Sequence, residues 1–149
     1  MSSNFLLGMN AVLYYDTNIG TAAVGVSAMT TLTNIRDNSL TLDAGEADVT
    51  TRGNSGWRAT AATLREATAD FEMLWLTGDA GFEAFRDAYL ANGEIHLAIL
   101  DQVYTTTGAQ GLKGDFTVTS FTRSEPLEEA ETVSVTVKLS SFSEWYETP

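Results

Sequence analysis

The sequence predicts a mainly β domain in which one helix covers a sheet, and three stretches carry that expectation. Val133, Val135, Val137 and Leu139 alternate with Thr132, Ser134, Thr136 and Lys138. Successive side chains of a strand leave opposite faces, so this period of two describes a half-buried strand. Ala67, Ala69, Phe71, Met73 and Trp75 alternate in the same way with Glu66, Asp70 and Glu72, giving a strand with one apolar and one acidic side. Between 79 and 91 the period changes to that of a helix: Asp79 is a competent N-cap, Phe82, Phe85, Tyr89 and Leu90 share a face, and Asn92-Gly93 supplies the stop.

The remaining elements follow in order. Met9 to Tyr15 reads as a first strand, and Asp16 to Met29, rich in small residues and without periodicity, as a loop or arm. Asn38 to Asp43 reads as a short strand, followed by a long polar inter-strand loop, Ala44 to Thr63, that holds Gly45, Gly53 and Gly56. After the helix, Ile95, Leu97 and Ile99 alternate with Glu94, His96 and Ala98 up to Asp101. Thr105 to Gly114 contains three glycines and reads as a hairpin loop. It leads into the strand pair of Lys113 to Ser141, which is joined by an acidic corner at Pro126. Residues 141–149 form a tail with two large aromatics, Trp145 and Tyr146.

Bulk properties set limits on function. With 149 residues, 44% hydrophobic, the chain is expected to be one domain, 1–149, with a real core. Eight basic side chains against twenty acidic ones leave a formal net charge of −12, which argues against an attractive grip on nucleic acid. No run approaches the length of a membrane span, and the first basic residue is Arg36, so the apolar beginning lacks the charged region of a secretory signal. The expectation is a soluble, cytoplasmically made protein without membrane contact. The chain contains no cysteine, hence no disulfide and no thiolate metal site.

Candidates for chemistry each have an ordinary structural explanation. Gly108, Gly111 and Gly114 surround Lys113, but a phosphate-binding loop needs a hydroxyl after the lysine, and Gly114 stands there. His96, the one histidine, lies between Ile95 and Leu97 with no nucleophile motif anywhere in the chain. Asp37, Ser39, Thr41, Asp43 and Asp48 loosely resemble a calcium loop, yet Leu42 occupies the position where the sharp turn needs glycine. Asp70 and Glu72 would share a face, as a glycosidase pair could, but nothing suggests an aromatic, polar pocket around them. The residues therefore point away from an enzyme and name no cofactor and no metal.

Two features fit an assembly better than a monomer. Trp57, flanked by Arg52 and Arg58, sits in a loop longer than usual for a non-functional connection. Trp145 and Tyr146 lie in a patternless tail, where large aromatics often anchor interfaces.

Several short motifs, in order, resemble the tail tube (major tail) proteins of long-tailed bacteriophages of the siphophage type. These are Leu40-Thr-Leu leading to Asp48-Val-Thr-Thr-Arg52-Gly with Gly56-Trp57-Arg58, then Phe71-Glu-Met-Leu-Trp75 before the Phe82/Phe85 helix. Gly93 to Asp101, Gly111 to Phe116 and Leu127 to Val133 complete the series. The resemblance implies a β-sandwich or barrel-like domain with one flanking helix and extended terminal arms, 1–8 and 141–149. It implies hexameric rings stacked into a hollow tube through which DNA passes without specific binding. In that setting Asp48, Arg52, Trp57 and Arg58 would make ring-to-ring contact. Phe5, Leu6, Leu7, Trp145 and Tyr146 would brace neighbours, and Asp70, Glu72 and Glu94 would line the lumen. The implied partners are further copies of the chain, a tape measure protein, a tail terminator and a distal tail protein; the implied location is the virion tail, assembled in the host cytoplasm. Alternatives are the tube or ring of a related injection machine (a gene transfer agent, a contractile tail, a secretion-system tube) or a monomeric β-sandwich module that binds carbohydrate or calcium.

Overall fold

A computed structural model describes residues 11–19, 25–75 and 78–149. Among these residues, in chain order, the strands are β1 (Val12–Asp16), β2 (Thr30–Thr31), β3 (Ile35–Asp48), β4 (Thr60–Leu74), β5 (Glu94–Leu100), β6 (Gln110–Ser124) and β7 (Thr132–Glu147), with one α-helix, α1 (Ala80–Leu90), between β4 and β5. All seven strands join one sheet in the order β2-β1-β5-β6-β7-β4-β3, and every pairing is antiparallel.

Connectivity forces this sheet to curl. A flat sheet of seven strands would hold its edges about 29 Å apart at roughly 4.8 Å per interval. The edge strands β2 and β3 are nevertheless joined by Leu32, Thr33 and Asn34 alone, a link that spans at most about 15 Å even when fully extended. Asn34 fastens the crossing: its side-chain amide donates to the Leu74 carbonyl at 3.0 Å and its own carbonyl accepts from the Leu74 N–H at 3.1 Å. The barrel-like fold expected from the sequence is thus an open barrel closed by a short strap.

The apolar face of β4 and β7 points into this curl as the alternation predicts. Ala67, Ala69, Phe71 and Met73 are buried, as are Val133, Val135 and Val137. The helix plugs the concave side. Asp79 caps it, its Oδ2 accepting from the Phe82 N–H at 2.9 Å. Phe82 and Phe85 are completely buried; Phe85 meets Phe71 with ring centroids 5.0 Å apart, and Phe82 meets Trp75 at 4.6 Å. Tyr15 packs on Phe85 from β1, and burial, reinforced by the Asp79 carboxylate, raises its phenol pKa. At the other end Asn92 adopts the left-handed conformation, its N–H bonding to the Tyr89 carbonyl and that of Gly93 to the Ala88 carbonyl, so asparagine takes the place glycine usually holds. Leu90, expected on the buried face, is 71% exposed.

Four sequence expectations need correction. The loop of 44–63 is mostly strand: β3 runs to Asp48 and β4 starts at Thr60, so the connection is 49–59 at the tip of a long hairpin. The glycine-bearing loop of 105–114 ends at Ala109, and Gly111 and Gly114 lie inside β6. β5 is buried on both faces rather than one, because residues 25–32 and Tyr104 bring a second cluster (Tyr14, Val26, Met29, Ala98, Leu100) onto its outer side. The tail of 141–149 is no free arm: Ser141 to Glu147 continue β7 along β6, and Thr148 exchanges backbone hydrogen bonds with Gly108 and Ala109. The first arm, 1–8, with Phe5, Leu6 and Leu7, lies outside the described residues, as do Met9 and Asn10 of the first expected strand.

Candidate assembly surfaces

The first surface is the convex face of the sheet, opposite the helix. In the register Asp37↔Glu72, Ser39↔Asp70, Asp43↔Glu66 between β3 and β4, all six side chains belong to this outer face. Continuing across the sheet, Thr68 pairs with Lys138, Lys138 with Thr117 and Thr117 with Glu94. The three carboxylates singled out in the sequence, Asp70, Glu72 and Glu94, are therefore on one wall. Each is held by a neighbour: Asp70 accepts from the Thr136 hydroxyl at 2.6 Å, Glu72 faces Arg36 at 3.6 Å, and Glu94 accepts from the Ser140 hydroxyl. Hydroxyl partners orient a carboxylate without neutralising it, so most of the negative charge of this wall is retained.

Further along the same face the polar groups sink inward. His96 is 2% exposed, and its Nδ1 lies 2.6 Å from Asp115 Oδ1 on the adjacent strand, while its Nε2 has no hydrogen-bond partner. Lys113 is also buried, with Glu144 4.0 Å away. The sequence marked His96 as an ordinary strand histidine. It offered no sign of the Asp115 pairing, since cross-strand register between β5 and β6 is not written in either strand alone.

The second surface is the tip of the β3–β4 hairpin. Asp48, expected at a ring contact, lies at the base of the turn: its Oδ1 accepts from the Thr50 N–H at 2.9 Å, and the Thr50 side chain and N–H beside it hold its carboxyl below the ordinary value of 3.8. Thr50 in turn bridges to Ala59 through its hydroxyl. The chain then reverses through Ser55 and Gly56, both at positive φ. This leaves Arg52, Trp57 and Arg58 exposed together, Trp57 by 79%.

The third surface is the open mouth of the barrel on the same end. Beyond the pairing of Thr68 with Lys138, β4 diverges with β3 while β7 stays with β6. The groove between them is lined by Leu42, Ala67, Leu112, Leu139, Phe142 and Trp145. Trp145 is 47% exposed there, its indole N–H bonded to Gln110 Oε1 at 3.0 Å. Tyr146 points the other way and packs on the second core cluster. The expected aromatic pair is split, Trp145 lining the solvent-open groove and Tyr146 packed into the second cluster. Sequence reading missed Leu42 and Phe142 as exposed groove residues, because nothing in their strands shows that the opposite strand departs.

Among the described residues no group of acidic, histidine or cysteine side chains is arranged to hold a metal ion, and no helix is long and apolar enough to cross a membrane. The loosely calcium-like series Asp37 to Asp43 is extended on β3, where it cannot wrap an ion.

Comparison with known proteins gives a consistent result. The family described as phage tail tube protein matches residues 10–142. Solved structures share the fold, among them the following three. The chain superposes on a protein in the virion of a native gene transfer agent particle with a TM-score of 0.71 at 15% identity, covering 97% of this chain and 100% of that one. For the tail of the empty gene transfer agent particle, refined with C6 symmetry, the TM-score is 0.73 at 17% identity, covering 97% and 100%. For the SPP1 tail tube it is 0.71 at 18% identity, covering 97% and 80%. No curated protein matches the sequence.

Proposed function

Since this chain belongs to the phage tail tube protein family and is a structural tail protein rather than an enzyme, we propose that it builds a tube of stacked hexameric rings whose acidic wall faces the DNA passage. The observation that carries this reading is the shared face of Asp70, Glu72 and Glu94, with Asp37, Asp43 and Glu66 beside them. Six copies, each with a net charge of −12, would present DNA with a like-charged surface to which it does not adhere. The 14 residues of β3 form one edge of the sheet, and a free edge of that length calls for a partner strand, which a neighbouring subunit in a ring would supply.

The hairpin tip would then reach the next ring, with Phe5, Leu6, Leu7 and the Trp145 groove bracing adjacent subunits. A tape measure protein, a tail terminator and a distal tail protein would be the partners during and after assembly in the host cytoplasm, and the finished tube would reside in the virion tail. The likeness to two gene transfer agent structures supports a second reading, the same tube in such a particle. Electron microscopy of the purified, concentrated protein tests the proposal: tubes of sixfold rings are expected, with the three carboxylates on the inner wall. A monodisperse monomer at every concentration, or a tube with all three on its outer surface, refutes it.

A further inference from the structure

The two ends of the protomer carry complementary chemistry. At one end, residues 49–59 hold Arg52 and Arg58 and no carboxylate, with Trp57 projecting between them. At the other end, the β6–β7 corner holds Glu125, Glu128, Glu129 and Glu131, with Leu127 wholly exposed. The register fixes their separation: the tip joins Asp48 to Thr60, whereas Leu74 pairs with Thr132 and the Trp75 N–H bonds to the Glu131 carbonyl. The 15 residues of β4 lie between, a strand path of about 50 Å at roughly 3.3 Å per residue.

Both patches keep their charge: like Arg65 and Lys138 among the described cations, the tip arginines make no ion pair within their own chain. Arg36, Arg86, Lys113 and Arg123 each sit within 4.0 Å of a carboxylate of their own chain, Arg123 on Glu125. Among the described residues Arg52 and Arg58 make no such pair, and neither do Glu128, Glu129 and Glu131. Two exposed cations beside an exposed indole, and three unpaired glutamates beside an exposed leucine, are the makings of a contact with an apolar centre and a charged rim.

We infer that the cationic Trp57 tip of one copy docks on the acidic Leu127 corner of a second copy in the next ring. The inference rests on the tube reading above and names the receiving surface for the hairpin. Because the two patches differ and lie at opposite ends, the contact is head-to-tail: it leaves each copy with one patch free and propagates along an axis instead of closing as a dimer. It also explains how a chain with this much negative charge stacks on itself, since the tip places cations against the neighbour's densest run of glutamates.

Charge reversal tests this in the full-length chain. Arg52→Glu with Arg58→Glu reverses the tip, and Glu128→Arg with Glu129→Arg reverses the corner; all four positions are exposed, so each variant should fold, which circular dichroism and melting verify. Each variant alone should form tubes at least about tenfold less than wild type by sedimentation and microscopy. An equimolar mixture of the two should recover tubes, because each tip then faces an oppositely charged corner, and the quadruple variant should recover them alone. If tip reversal blocks tubes but corner reversal does not, or the mixture fails to recover them, the corner is not the receiving surface, although the hairpin keeps its ring-to-ring role. If tip reversal leaves tube formation unchanged, the inference fails together with that role. Absence of tubes from the wild-type protein instead refutes the tube reading itself.

Discussion

Phe85→Ala tests whether the helix is what holds the curled sheet together. Phe85 is fully buried and links three elements, with Phe71 of β4 at 5.0 Å and Tyr15 of β1 at 6.3 Å between ring centroids. Truncating such a ring removes its transfer free energy and leaves a cavity, together about 3–5 kcal/mol. Against a total stability of roughly 5–15 kcal/mol this is a large fraction. For a chain of this size each kcal/mol lowers Tm by roughly 2–4 °C, so a fall of about 6–20 °C is expected. Urea unfolding should be followed by fluorescence of Trp75, which packs on Phe82 at 4.6 Å, at a protein concentration below that of assembly, because association adds apparent stability by mass action. The midpoint should fall while the slope m stays constant. Leu90→Ala on the exposed side of the same helix should change stability by no more than about 0.5 kcal/mol. A loss below about 1 kcal/mol for Phe85→Ala, or equal losses for the two variants, would refute the view that the helix closes the core.

Four further outcomes are expected. Asp79→Ala removes the acceptor of the Phe82 N–H and should lower stability by about 1 kcal/mol, with faster amide exchange confined to the first turn of the helix. Gly111→Ala should prevent normal folding, because a Cβ there would stand 1.6 Å from the Ile99 carbonyl oxygen; a soluble variant with wild-type melting would contradict the β5–β6 register. The Asp48 carboxyl is depressed below 3.8, so its contribution to the hairpin turn is complete above that value and is lost as pH falls through the lower, folded-state pKa. Exchange protection of the Thr50 amide should therefore persist at pH 4 and disappear in more acidic solution. Finally, the long-range repulsion between copies carrying −12 each is screened by salt more than the close arginine–glutamate contact of the hairpin tip, so polymerisation should be slower at low ionic strength, and rates that are flat with added salt would count against a repulsive tube wall.

Sequence alone determined the parts whose burial follows a period. The inward faces Ala67 to Met73 and Val133 to Val137, the Phe82/Phe85 stripe, the Asp79 cap and the Asn92-Gly93 stop could all be read because each depends on residues a few positions apart. Asp70, Glu72 and Glu94 could be named for the same reason, as the polar alternates of apolar strands.

Tertiary structure decided what no local pattern encodes. The distal halves of β3 and β4 are exposed on both faces, so Ala44 to Thr63 shows no hydrophobic period and looks like a loop although most of it pairs as strand. Register irregularities near Gly114 and Phe116 interrupt the alternation at the end of β7, which disguises the last strand as a tail. Register across strands sets His96 against Asp115, and the second layer over β5 exists because distant segments fold onto it. Which surfaces lie at opposite ends of the protomer is likewise a matter of topology. The sequence shows a tryptophan between two arginines and a leucine among glutamates, and only the antiparallel course of β4 and β7 puts them at opposite ends of the protomer, the whole length of β4 between them.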